Sequence, residues 1–211
     1  MRSSSHLLFL TLGLASLTVA CSSSENSRVR DTTRPTYNSA TGKLVELTFD
    51  RNKNGVIDTW TAMEGSRMIG SRSDLNEDGT LDRWEYYDER GNLIKVGFAR
   101  AGDGRQDAWA FAGADAKVER IEISSSGDPQ RIDRWERYHD GVLVSAEDDT
   151  NGDGRADKSD TYEAGVLTTT AIDEDGDGEP DRRLTYSSGV LTLIESERDG
   201  SGVFRSSVTV R

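Results

Sequence analysis

Cysteine, histidine and proline are almost missing from this chain: its 211 residues hold one, two and three of them. Beyond the N-terminal leader the one histidine is His139, beside an Asp-Gly turn, and Cys21 stands at the leader's end. No Ser/His/Asp or Cys/His set can be assembled from these residues. No glycine-rich phosphate loop follows a strand and opens a helix. The many carboxylates follow a regular register, which leaves no isolated acid–base pair. An enzyme is not expected. Outside the leader there is no apolar run long enough to cross a bilayer. Hydrophobic residues make up 34% and charged ones 30%, which argues against a thick globular core. Such a composition also occurs in disordered chains, but the regular spacing of aromatic and aliphatic residues speaks against disorder. Glycine is plentiful, at 21 residues, and suits many tight turns between short strands.

The formal charge is -12; without residues 1–20, which carry only Arg2, it is -13 (25 basic against 38 acidic). That surface repels nucleic acid and anionic lipid and makes bound cations the natural counterweight.

A repeat organises the sequence. The stretch 149–167 (DTNGDGRADKSDTYEAGVL) reappears 24 residues later as 173–191 (DEDGDGEPDRRLTYSSGVL), with an earlier copy at 74–93 and a weaker one from Ser125. With Asp149 as position 1, glycines at position 6 are Gly55, Gly79, Gly104, Gly154, Gly178 and Gly202, and Gln130 takes that place in the fourth copy. The steps are 24, 25, 26, 24, 24 and 24. All four tryptophans, Trp60, Trp84, Trp109 and Trp135, fall at position 11, and Tyr87, Tyr138, Tyr162 and Tyr186 fall at position 14. Asp140-Gly141 between apolar flanks signals a two-residue hairpin turn. Each unit is then a loop, a strand, a tight turn and a return strand. The predicted fold is all-β: an elongated antiparallel meander of tandem hairpin repeats of ~24 residues, with thirteen or fourteen strands twisted into a solenoid-like ribbon.

The loops carry the candidate chemistry. Asp74, Asn76, Asp78 and Asp82 occupy positions 1, 3, 5 and 9, as do Asp149, Asn151, Asp153 and Asp157, and Asp173, Asp175, Asp177 and Asp181. Asp50, Asn52, Asn54 and Asp58 form a less charged version. Alternate oxygen ligands around a glycine at the sharp turn are what a calcium loop needs. Oxygen-only ligands disfavour zinc and copper. Asx-type turns without metal are the other reading of the same residues. The third copy has Ala99 and Ala101 at ligand positions, the fourth has Pro129, and the last has Ser201 and Arg205, so weak binding or none is expected there. Glu85 and Asp160 at position 12 are doubtful ligands because they fall in a strand. The loops resemble the short calcium loops of thrombospondin type 3 and dockerin-like repeats. The segment 87–93 (YDERGNL) resembles the core of the YD (RHS-type) repeat, a β-hairpin unit of bacterial surface proteins.

Residues 1–20 have a basic residue, an apolar run from Leu7 to Leu17 and then small residues, the layout of a secretory signal. The run Leu17-Thr18-Val19-Ala20-Cys21 resembles the lipobox of bacterial lipoproteins, with Thr18 where that family usually has leucine. The resemblance implies lipidation of Cys21 and a membrane anchor, and Ser22 after it implies outer-membrane sorting. Residues 21–41 are expected to be the lipidated cysteine and a flexible tether, and residues 42–211 the repeat domain.

Position 11 lies on the opposite strand face from position 14, which places successive tryptophans about 9–10 Å apart on one face. Such a row can stack on the sugar rings of a polysaccharide, or pack over small neighbours such as Ala146 as the ribbon's apolar face. The expected function is a calcium-stabilised scaffold of the cell envelope, in a structural or protein-interaction role. A carbohydrate- or surface-binding adhesin, or a subunit of a larger envelope or motility complex, are the alternatives.

Overall fold

The computed structural model describes residues 32–210; the leader, Cys21 and the first part of the expected tether lie outside these described residues. Fifteen strands follow one another along the chain. They are β1 (Thr33–Tyr37), β2 (Leu44–Phe49), β3 (Thr59–Glu64), β4 (Arg67–Ser73) and β5 (Arg83–Tyr87). Then come β6 (Leu93–Phe98), β7 (Ala108–Ala112), β8 (Val118–Ile123), β9 (Arg134–His139) and β10 (Val142–Asp148). The last are β11 (Lys158–Glu163), β12 (Val166–Ile172), β13 (Arg182–Ser187), β14 (Val190–Arg198) and β15 (Phe204–Thr209). They form one sheet in strict sequence order, each antiparallel to the next, and the sheet does not close into a barrel. In such a meander, alternate connections lie on opposite ends of the strands. The tight turns therefore line one long edge of the sheet and the acidic loops line the other.

The turns behave as their residues dictate. Asp140 and Gly141 have φ of 51° and 78°, and Ala164-Gly165 and Ser188-Gly189 repeat the pattern. Two successive positive φ angles give the turn whose twist matches the flanking strands. Beside every such turn the return strand carries one extra residue, seen as a register shift between Leu143 and Ser145 and at the equivalent place in each hairpin. A recurring bulge of this kind increases strand twist.

Two expectations need correction. Thr33–Tyr37, assigned above to the tether, is strand β1 and pairs with β2. Pro35 is tolerated there because β1 has a sheet neighbour on one side only. With β15 this raises the strand count above fourteen. The second correction concerns Ala146, which is not beneath an indole. An unbulged hairpin would set Trp135 opposite Ala146; the bulge at Val144 shifts the register by one, so Trp135 faces Glu147 and Ala146 pairs with Glu136 on the other side of the sheet.

That other side holds most of the small core. Val96, Ala108, Ala110 and Ala146 are buried there, and Ala110 lies between Val96 and Ile121 on its neighbours. Among the described residues no second layer covers them, and long polar side chains do. The Tyr87 hydroxyl donates to Glu85 Oε2 at 2.6 Å while the Arg83 Nε donates to Glu85 Oε1 at 2.9 Å. Arg134, Glu136 and Tyr138 repeat the arrangement two units on. Arg134 also pairs with Asp148, and Lys158 links Asp148 to Asp160 at 2.8 and 2.7 Å. Burial works to raise the Asp148 carboxyl, but the hydrogen bonds from Lys158 and Arg134 outweigh it and hold it below its ordinary value.

Candidate metal-binding loops

Each acidic loop begins and ends inside the sheet's hydrogen-bond ladder. The amide of Asp74 donates to Asp58 O at 2.9 Å, that of Asp149 to Asp133 O at 2.9 Å, and that of Asp173 to Asp157 O at 2.8 Å. Position 1 of one loop is thereby tied to position 9 of the loop before. This explains why Asp50, Asp58, Asp74, Asp149 and Asp157 are buried although they bracket a solvent-facing loop.

The same bonds reset the fourth loop. The amide that donates to Asp107 O belongs to Ser124, which is 2% exposed, so Ser124 and not Ser125 is position 1. The 26-residue step thus contains one extra residue in the turn after β7 and one inside the loop.

Inside a loop the carboxylates hold the backbone. Asp149 accepts the amides of Gly152 at 2.6 Å, Asp153 at 3.2 Å and Gly154 at 2.9 Å. Asp157 accepts the amides of Thr150 and Asn151 and the Thr150 hydroxyl. Asn151 and Asp153 each accept the amide two residues on. The last two are Asx turns, the other reading of the same residues. Position 9 is aspartate in all of the first six loops: Asp58, Asp82, Asp107, Asp133, Asp157 and Asp181. Asp107 and Asp133 hold amides in loops that have lost ligand residues at other positions, so this residue has a structural task of its own.

Sequence placed loops two, five and six in one class, with loop one a less charged version; the geometry separates them further. In loop six the ligand oxygens of Asp173, Asp175 and Asp177 lie within 4.8 Å of one another, a grouping that can hold a metal ion. Loop two contains a buried oxygen, Asp74 Oδ1, that has no hydrogen-bond partner, while its Oδ2 accepts the Gly79 amide at 2.9 Å. In loop five an asparagine, Asn151, stands between Asp149 and Asp153. In loop one the side-chain amides of Asn52 and Asn54 both donate to the carboxylate of Glu77 in the next loop, a bridge no sequence pattern announced. Glu85 and Asp160 are occupied in the strands, Glu85 with Arg83 and Tyr87, Asp160 with Lys158 and Thr170.

Two of the three degenerate loops supply their own positive charge. Arg105 grips Asp103 Oδ2 through Nε at 2.9 Å and a terminal nitrogen at 2.7 Å. Arg205 does the same for Asp199 at 2.9 Å. The Ser201 hydroxyl, the Val203 amide and Arg205 hold the Asp199 carboxyl down at about 2.

The tryptophans do share the opposite face of the sheet. Trp60 stands across from Arg72, whose guanidinium lies 5.7 Å from the ring centroid. Trp84 and Trp109 flank Gly97, and the Gln106 side chain lies over that glycine and accepts the Trp109 indole N–H at 2.9 Å. Trp135 stands between Glu122 and Glu147. Trp109 is buried and the other three are half-buried.

No protein-family model and no curated protein matches the chain. Among solved structures, a crystal structure of accessory secretory protein 1, 2 and 3 from Streptococcus pneumoniae aligns at TM-score 0.38 and 13% identity, covering 51% of this chain and 19% of that one. A crystal structure of TarM aligns at 0.36 and 10%, covering 47% and 21%. A structure of TcdB2-TccC3-TEV aligns at 0.19 and 11%, covering 84% and 15%. The chain thus spans a fifth or less of the length of these proteins, apart from TarM at slightly more, and likeness at this level carries nothing about its activity.

Proposed function

We propose that this chain is a calcium-stabilised repeat scaffold, tethered to the bacterial cell envelope through Cys21. The observation that carries the calcium part is loop six: three carboxylates converge and no lysine or arginine among the described residues pairs with them. Like charges so close repel, and a hard divalent cation with oxygen ligands is the natural partner. The unpartnered Asp74 oxygen supports loop two in the same role. Loops two, five and six are the expected sites. Loop one fills less readily, because Asn52 and Asn54 stand at two of its carboxylate positions. Bound ions would fix one loop against the next along an edge that otherwise carries concentrated negative charge. The envelope assignment is supported by the signal-like leader and the lipobox-like run before Cys21. That reading gives the chain a structural or interaction role.

Calorimetric calcium titration of chelator-treated protein, with thermal melts alongside, tests this reading. Three sites are expected. At about 1 mM calcium each should stabilise the fold by about 0.4–1.4 kcal/mol, given the affinities usual for extracellular modules. Asp177→Ala should remove about one site. A flat titration of folded protein overturns the proposal.

A further inference from the structure

On the indole face, Arg120 of β8 and Arg137 of β9 stand directly opposite one another. Like charges in such a cross-strand pair are destabilising. In a chain with an excess of acidic residues the arrangement calls for a partner. Arg120 is partly engaged: its guanidinium lies 4.1 Å from the Phe111 centroid and 3.2 Å from Glu122 Oε1. The nitrogen that approaches Glu122 is the buried Nε, in ion-pair but not hydrogen-bond geometry. Arg137 is exposed, and its guanidinium makes no ion pair or hydrogen bond among the described residues. The two arginines line one open depression of about 340 Å³, together with Glu122, Trp135, Glu147 and Ala156.

We infer that this depression is a binding site for a carboxylate-bearing saccharide, such as a uronic-acid oligomer. Two guanidiniums take the carboxylate, for which their planar donor pairs are suited. The half-buried Trp135 offers the flat wall on which a sugar ring stacks. Glu122 and Glu147, on either side of the indole, accept hydrogen bonds from ring hydroxyls. A glutamate-rich peptide has no ring to set against that indole. Of the four indoles, Trp135 is the one in this setting, since Gln106 fills the space between Trp84 and Trp109 and Arg72 covers Trp60. The chain's overall charge opposes the approach of a long polyanion, so a short oligosaccharide or chain end is the ligand. The site is independent of the calcium reading, because none of the ligand carboxylates of the loops lines it.

The test uses β-1,4-linked triglucuronate and its neutral counterpart cellotriose, titrated against the full chain in calcium-containing buffer and followed by tryptophan emission and calorimetry. Triglucuronate should bind at least about tenfold more tightly than cellotriose, the worth of one charge-assisted hydrogen bond. Arg137→Gln should abolish that preference, Trp135→Ala should weaken both sugars, and Arg72→Gln on the same face should change neither. Far-UV circular dichroism confirms that each variant is folded. Equal affinity for the two sugars, no binding of either, or a preference that survives Arg137→Gln overturns the inference. Arg137-dependent binding of a glutamate-rich peptide in place of triglucuronate also overturns it, and turns the site into one for an acidic protein.

Discussion

In loop six, Asp173, Asp175 and Asp177 bring three carboxylates within 4.8 Å, and no basic side chain among the described residues pairs with them. In loop three, Ala99 and Ala101 replace two of the three, and the remaining Asp103 is gripped by Arg105. The backbones agree: positions 4 and 6 have φ of 79° and 90° in loop six, and 67° and 76° in loop three. Both loops have nine residues, and in both the closing aspartate, Asp181 or Asp107, accepts the amides of positions 2 and 3. The turn therefore does not need a metal to adopt its shape. What differs is the local charge, balanced from within by an arginine in loop three and left open in loop six. One template thus carries two solutions to the same electrostatic problem, and only one of them leaves room for a cation.

The sharpest break in this comparison would come from its shared part. Asp107 is 5% exposed, and Asp107→Ala leaves the Arg100 and Ala101 amides without acceptors. The expected loss is about 2 kcal/mol, the cost of a few unmade hydrogen bonds at a partly buried site. Chemical denaturation should show the same loss in calcium and in chelator. If Asp107→Ala costs nothing while Asp157→Ala in loop five destabilises in calcium only, position 9 is a ligand and not a structural cap.

That double role marks the limit of what could be read from residues alone. Period, hairpin turns and alternating faces were all legible, because turn glycines and aromatic residues recur in a fixed register. Cap and ligand were not separable, since one aspartate satisfies both and only the degenerate loops tell them apart. Ser124 was misplaced by one residue because the fourth loop has no glycine at position 6 to anchor its count. Trp135 and Ala146 were set on one face because the bulge at Val144 has no residue signature; valine there looks like any strand residue. The Glu77 bridge to Asn52 and Asn54 joins residues more than twenty apart, across two repeats, where neither pattern hints at the other.

A gain of function would sharpen the comparison further. Ala99→Asp with Ala101→Asp restores three carboxylates on the loop-three backbone, next to the cap already in place. If open charge is what separates the loops, the double variant should gain a calcium-dependent stabilisation of about 1 kcal/mol that the parent loop lacks. Arg105 opposes it, so adding Arg105→Gln should enlarge the calcium response. A double variant that folds yet melts identically in calcium and in chelator would mean that loop three differs from loop six in more than its side chains.

The smallest effect concerns the built-in arginine. The Arg105 side-chain hydrogen bond, with the Arg105 amide, holds the Asp103 carboxyl below its ordinary 3.8. A folded-state value below the unfolded one means the stabilisation is fully present above the unfolded value and is lost as pH falls through the lower folded value. Thermal melts of the parent and Asp103→Asn should therefore differ slightly at pH 6 and converge as pH falls through that lowered value. The pair is exposed, and high salt should shrink the difference as well. Calcium should leave it untouched, because the charge that a cation would neutralise is already held by Arg105. A calcium-dependent gap between parent and Asp103→Asn would show that arginine and metal compete for this carboxylate, and that loop three is a weakened site instead of a self-neutralised turn.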